Sequence, residues 1–275
     1  MIGEALYMAS CGVGALGTGM KHRALGYLVV LIGAAFVAAP ASFAGEPRAV
    51  IELFTSQGCS SCPPADKLLG ELARDPSLVT MSLAVDYWDY LGWKDTLALH
   101  GHSNRQRAYS SARGDRDVYT PQAVINGVVH VLGSDKAAIE KAIVQTRQNA
   151  KTLSLPVKMT VVDGKITVDI PAADGNPDSA EVWLCPITTS APVAIGRGEN
   201  SGRTLTYNNV VRRWIKLGVW RGKAETFSIP VSDMSGAGYA IADIDRLAVV
   251  VQSGVAAKPG TLPGVMLGAA QISLR

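Results

Sequence analysis

Cys59 and Cys62 stand three residues apart, directly after a short apolar run and directly before a run with helical spacing. Thiols so placed at a helix start close a small ring, so a disulfide between them forms and opens at little conformational cost. The unpaired N–H groups and positive potential of a helix N-terminus favour a thiolate. That makes Cys59 the attacking thiol and Cys62 the resolving one. Ser60 and Ser61 between them add hydroxyl donors and leave the direction of electron flow open. Two other readings compete. A metal knuckle needs a second ligand pair, which neither Cys185 nor the His residues supply at that spacing, so no metal and no cofactor are expected. A permanent structural disulfide is the stronger rival. Pro63 and Pro64 restrain the residue before them, so the helix is expected to begin at Pro63 with both cysteines just ahead of it.

Thr120-Pro121 is the second chemical element. It reads as a cis proline facing the cysteines, leaving the backbone of Thr120 free to pair with an extended substrate. An ordinary proline at a strand start is the other reading. Between these motifs, Asp86–Asp95 carries Tyr87, Trp88, Tyr90 and Trp93 among acids. These rings either pack the domain or form a substrate-facing rim, in which Trp88 joins Thr120 and Pro121 in binding substrate. His100 and His102 are two apart in an expected helix and fall on different faces, which makes them poor metal ligands as a pair. The glycine-rich loop Gly196–Thr204 lacks the Gly-Lys-Ser/Thr ending of a phosphate loop. It reads as a surface hairpin or as a loop that contacts the cysteine-bearing half or a partner.

The elements that must position these residues follow from periodicity. Ala49–Phe54 reads as a buried strand; Ala65, Leu68, Leu69 and Leu72 recur at helical spacing until Asp75-Pro76. Leu78–Val85 reads as a second strand and the stretch from about Thr96 to Ser111 as a polar helix. Ala123–Ile125, Asn126-Gly127 and Val128–Leu132 form a hairpin signal. Ser134-Asp135 caps a last helix carrying Ala138, Ile139, Ala142 and Ile143 on one face. This β-α-β-α-β-β-α order, with the cysteines at the first strand–helix junction, is the order of a thioredoxin-like α/β domain over 45–150. Beyond Lys151 the texture changes to short alternating runs with Gly, Pro and Asp-Gly turns. Candidates are Glu181–Leu184, Thr204–Val211, Glu225–Ile229, Leu247–Gln252 and Val265–Leu274, which together read as a separate antiparallel, sandwich-like all-β domain over 151–275.

Composition narrows the class. The 275 residues are 48% hydrophobic and 18% charged, with a net charge of +3 and scattered Lys and Arg, so no nucleic-acid partner is expected. The basic start at Met20–Arg23, the apolar run Leu25–Ala39 and Ser42-Phe43-Ala44 read as a secretory leader over 1–44, cut after Ala44, with a misassigned start as an option. A membrane contact is expected only if that segment stays uncleaved. Of the 4 cysteines, Cys11 lies in the leader, which leaves Cys185 as the odd thiol, expected buried and unpaired. A periplasmic or secreted location, where disulfides persist, follows from the leader.

The segments Val50–Asp66, Val85–Trp93, Tyr119–Gln122 and Gly198–Thr206 are similar to the bacterial exported family labelled domain of unknown function 1223. The resemblance runs from about residue 48 to the C-terminus. That family is placed with the thioredoxin-like proteins, so the resemblance implies that fold, and its label implies no settled reaction. Unlike thioredoxin, this chain lacks Gly-Pro between its cysteines and adds Pro63-Pro64, so strongly reducing behaviour is not implied. The expected function is an exported thiol–disulfide oxidoreductase acting on a protein or small-molecule thiol substrate. The alternatives are a non-catalytic binding module with a structural disulfide and a copper-handling protein using the dithiol with a histidine such as His130.

Overall fold

The computed structural model describes residues 46–173, 179–257 and 260–275, the backbone alone at 255–257, 260 and 261. The expected leader lies outside them. Among the described residues no helix is long and apolar enough to cross a membrane.

The elements run β1 Ala49–Thr55, α1 Pro63–Leu72, β2 Leu78–Ala84, α2 His100–Arg113, β3 Gln122–Ile125, β4 Val129–Leu132, α3 Lys136–Arg147, β5 Lys158–Val162 and β6 Lys165–Ile170. There follow β7 Ala180–Ala194, β8 Thr204–Val211, β9 Ile215–Trp220, β10 Glu225–Pro230, β11 Arg246–Ala257 and β12 Gly260–Ser273. β1 is buried along its whole length, and its period of two divides it between two cores. Ala49, Ile51 and Leu53 pack with Leu68, Leu69 and Leu72 of α1 and with Ile139 and Ile143 of α3. Val50 and Phe54 face Tyr109 of α2 on the other side. Asn126 and Gly127, at φ 52° and 75°, take the left-handed conformations that the β3–β4 reversal requires. Asp135 caps α3 by accepting the Ala138 N–H at 2.9 Å. α2 starts later than expected because residues 95–99 are spent on a turn: Asp95 accepts the Leu97 N–H, and Leu99 N–H reaches back to the Ala84 carbonyl.

The expected architecture, a thioredoxin-like α/β domain followed by an all-β sandwich, is overturned by the sheet. Its strands form one mixed nine-stranded sheet in the order β12-β11-β7-β8-β2-β1-β3-β4, with β9 also paired to β7, flanked among the described residues by three α-helices. β1 and β2 run parallel, and β2 continues into the later half through a parallel bridge from Ser82 to Val210 of β8. β7, β11 and β12 extend the sheet antiparallel. One core accordingly mixes Phe54 and Met81 with Cys185, Ile187, Ala248 and Met266. The remaining strands form a three-stranded sheet, β10-β6-β5, whose Met159, Ile166 and Val168 share a second core with Leu184, Leu247 and Val249 of the large sheet. Apolar alternation shows which face of a strand is buried but not which edge it pairs with. The first-half strands read alone as complete, while the edge of β2 was in fact taken by β8.

Candidate functional site

β1 runs out at Thr55, and the chain turns over Ser56–Ser61 before α1 begins at Pro63. Cys62 is the residue capping α1, in helical angles (φ −77°, ψ −35°) despite the proline after it. Its carbonyl accepts the N–H groups of Ala65 and Asp66 at 2.9 and 3.1 Å, so the first helical turn is closed onto the cysteine itself. Cys59 lies in the turn just before, and the two are joined as a disulfide with Cα atoms 5.4 Å apart. Among the described residues Cys185 is the free thiol, buried in β7, where burial pushes its pKa up.

The expected substrate-side residues gather on this disulfide. The Thr120 carbonyl oxygen is 3.8 Å from Cys59 Sγ and accepts from Ser61 Oγ at 3.4 Å. The Thr120–Pro121 peptide bond is cis. Trp88 donates its indole N–H to Thr120 Oγ1 at 2.8 Å, and a Cβ on Gly58 would stand 3.0 Å from Trp88 Cβ, so ring, cysteine turn and Thr120-Pro121 are in mutual contact. Of the other aromatics, Tyr87 bonds Gln106 and Trp93 bonds Gln57, which makes them structural; Tyr90, 78% exposed, projects from the surface. His100 sits at the surface on Asp86, whereas His102 is buried on the Ala84 carbonyl, and burial drives its pKa down to about 4.

The glycine-rich loop clamps the cysteine turn. Asn200 is fully buried, and its amide donates to the carbonyls of Gln57 and Cys59 at 3.0 and 2.9 Å. Glu199 accepts the Ser60 N–H at 2.9 Å, and the Ser60 side chain together with that N–H holds its carboxyl below the usual range. From the opposite side Asp95 accepts the Gln57 N–H at 2.7 Å. The result leaves both half-cystines at 0% exposure, with Ser60 and Ser61 at the surface.

Beneath the turn lies a group of acids that sequence reading missed. Asp66, one turn along α1 from Cys62, is 4% exposed. Burial pushes its carboxyl up to about 7, the charge of Asp95 adds to the rise, and the Thr55 hydroxyl offsets part of it. Neither Asp66 oxygen makes a hydrogen bond of normal geometry, and the buried hydroxyls of Thr55 and Tyr207 are equally unpaired. Burial also lifts Asp95, to about 6, against the N–H bonds from Gln57 and Leu97 that favour its ionised form. The available signal was position: Asp66 falls on the apolar stripe of Ala65, Leu69 and Leu72.

Asp115, Asp117 and His130 form a second cluster, with ligand atoms within 4.8 Å of one another. Two of its three members are already engaged: Arg113 pairs with Asp115, and Tyr119, Gln122 and Asp115 occupy the ring nitrogens of His130.

Residues 50–252 match the family described as Protein of unknown function (DUF1223). The chain belongs to that family. Among curated proteins, none matches the chain. Two solved structures resemble this DUF1223 chain. One is the crystal structure of a protein from Agrobacterium tumefaciens, at 33% identity and a TM-score of 0.71 over 83% of this chain and 95% of that one. The other is HBP35 of Porphyromonas gingivalis, at 12% identity and a TM-score of 0.54 over 83% of this chain and 76% of that one, a likeness of fold alone.

Proposed function

We propose that the chain is an exported thiol–disulfide oxidoreductase whose Cys59–Cys62 pair cycles between dithiol and disulfide on a protein or small-thiol substrate. The observation that carries this reading is placement: the pair is bonded in the turn capping α1, against the carbonyl of Thr120. In the reducing direction, the Cys59 thiolate attacks one sulfur of a substrate disulfide, and the other substrate sulfur leaves as a thiolate. The Cys62 thiolate then attacks Cys59 Sγ, the mixed disulfide breaks, and the second substrate sulfur leaves, so two electrons pass to the substrate. The oxidising direction is the reverse. Helix N-terminal N–H groups stabilise the thiolate, while Thr120, Pro121 and Trp88 form the wall against which a substrate chain lies. Export is supported by the leader pattern over 20–44 and by the disulfide, since such bonds persist in oxidising compartments.

A second reading is a binding module held by a structural disulfide. The 0% exposure of both half-cystines favours it, because exchange requires the Ser60-Ser61 edge or the Glu199 loop to move aside. Trapping decides between them. With insulin as substrate, Cys62→Ser is expected to accumulate a mixed disulfide through Cys59, detected by mass after alkylation, and Cys59→Ser to accumulate none. A wild type that leaves insulin oxidised, with no trapped adduct in either variant, establishes the structural disulfide instead.

A further inference from the structure

Beside the cysteine turn, a cleft of about 850 Å³ runs between α1 and β8. It starts at Pro63, next to Cys62, and ends among Arg74, Thr189 and Arg246. Its walls are unequal in charge. Lys67, Arg74, Arg203 and Arg246 line it, against Glu71 and the buried Asp66. Arg203 is tied to Asn200 Oδ1 at 2.7 Å, the same Asn200 that grips the cysteine turn. The side chains of Lys67, Arg74 and Arg246 make no ion pair or hydrogen bond among the described residues. Arg246 is half-buried, and burial lowers its pKa, with the charge of Asp245 offsetting part of the drop. A cation taken partly out of water without a bonded counter-charge is costly, and an anionic occupant removes that cost.

The floor of the cleft is a strand edge. β8 pairs with β7 from Thr204 onward but meets β2 only at Val210, so among the described residues its edge from Thr204 to Asn208 pairs with no strand on the side opposite β7. α1 lies close beside it: a Cβ on Gly70 would come within 2.5 Å of Asn208 Nδ2. An open strand edge beside a helix accepts an extended chain by main-chain pairing, with side-chain charges setting preference. α1 offers a length of about 14 Å from Pro63 to Leu72, enough for about four extended residues.

We propose that this cleft binds an extended acidic polypeptide segment along the open edge of β8, its carboxylates meeting Lys67, Arg203, Arg74 and Arg246. The occupant's identity as the segment flanking a substrate disulfide rests on the exchange reading above; the cleft and its charge do not. A single small anion reaches one or two of these cations, whereas an extended acidic chain spans all four and also uses the strand edge.

The test is fluorescence anisotropy on the oxidised full chain, with a fluorescein-labelled, cysteine-free Glu-Thr-Glu-Thr-Glu peptide and its Gln-Thr-Gln-Thr-Gln counterpart as probes. The acidic peptide is expected to bind saturably and about tenfold or more tighter than the neutral one, and to weaken as salt rises. Arg246→Gln and, on the exposed face of α1, Lys67→Glu are each expected to weaken it about tenfold. Arg197→Gln, outside the cleft, is expected to leave it unchanged. Equal binding of the two peptides overturns the proposal, as does wild-type affinity in both cleft variants or tighter binding of tripolyphosphate than of the acidic peptide. The two proposals fail separately. Peptide binding in a protein without thiol exchange sinks only the exchange reading, and exchange without peptide binding sinks only the cleft.

Discussion

Glu52 and Asp66 are both buried acids one element apart, and the fold treats them in opposite ways. Glu52, at 0% exposure in the middle of β1, accepts from Arg105 Nε at 2.6 Å and from the Tyr109 hydroxyl at 2.5 Å. Arg105 also donates to Gln252 and lies 4.1 Å over the Trp214 ring, so the charge is matched and hydrogen-bonded on every side. Asp66 has burial without partners and keeps its proton near neutrality instead. A buried carboxylate with a guanidinium is part of the scaffold; one without is a group whose charge responds to pH. The first ties β1 to α2 and to β11 of the later half. The second sits under the turn that carries the cysteines.

Removing the counter-charge tests the scaffold side and carries the largest expected effect. Arg105→Met leaves Glu52 buried and unpaired, which is expected to cost about 3–5 kcal/mol in urea unfolding. Glu52→Gln in the same chain is expected to recover part of that loss, because a neutral amide needs no counter-ion. A double variant as unstable as the single one would show that packing, and not charge, holds this region.

The responsive side is tested by pH. Burial raises the folded pKa of Asp66 to about 7, above its unfolded value of about 3.9. Between those values the folded chain holds a proton that the unfolded chain has released. Its contribution to stability is therefore full below about pH 4 and is lost as pH rises through about 7, a change of up to about 4 kcal/mol. Asp95, lifted to about 6, adds a slope of the same sign, while His102, lowered to about 4, adds the opposite one. The quantity to measure is thus the difference between wild type and Asp66→Asn across pH 4.5–8. It is expected to favour the wild type most at the acid end, and a pH-independent difference would mean that water reaches Asp66 and keeps its pKa ordinary.

A smaller effect belongs to the clamp between the two regions. Asn200→Ala removes both amide bonds to the carbonyls of Gln57 and Cys59 and is expected to cost about 1–3 kcal/mol. Reduction of the disulfide by dithiothreitol should become faster in the same variant, since the covering loop is released. An unchanged reduction rate would place the barrier elsewhere, at the Ser60-Ser61 edge or at Trp88.

What the sequence carried about this site was local. The cysteine spacing, the helix starting at Pro63, Thr120-Pro121 against the dithiol, the Asn126-Gly127 reversal and the Asp135 cap are each written within a few residues. The continuation of the sheet was not, because β2 and β8 meet through a single bridge, Ser82 to Val210, between segments that look complete on their own. Nor was the role of Asn200, which sits in a loop that reads as polar surface and yet is buried by the turn it grips. Glu52 interrupts a largely apolar strand; its partners Arg105 and Tyr109 lie in α2, far along the chain, and Gln252 of β11 bonds both of them. Periodicity assigns faces; it does not say which distant side chain satisfies a buried charge.

Electron exchange by Cys59 and Cys62 in the folded protein is measured by equilibrating the native wild type against glutathione buffers and counting alkylated thiols by mass. Cys59 and Cys62 are expected to be reduced together, with Cys185 unmodified, at a midpoint between roughly −120 and −270 mV, where exchange catalysts lie. A disulfide that stays oxidised below about −300 mV, or that opens only when the chain unfolds, is structural and contradicts such exchange.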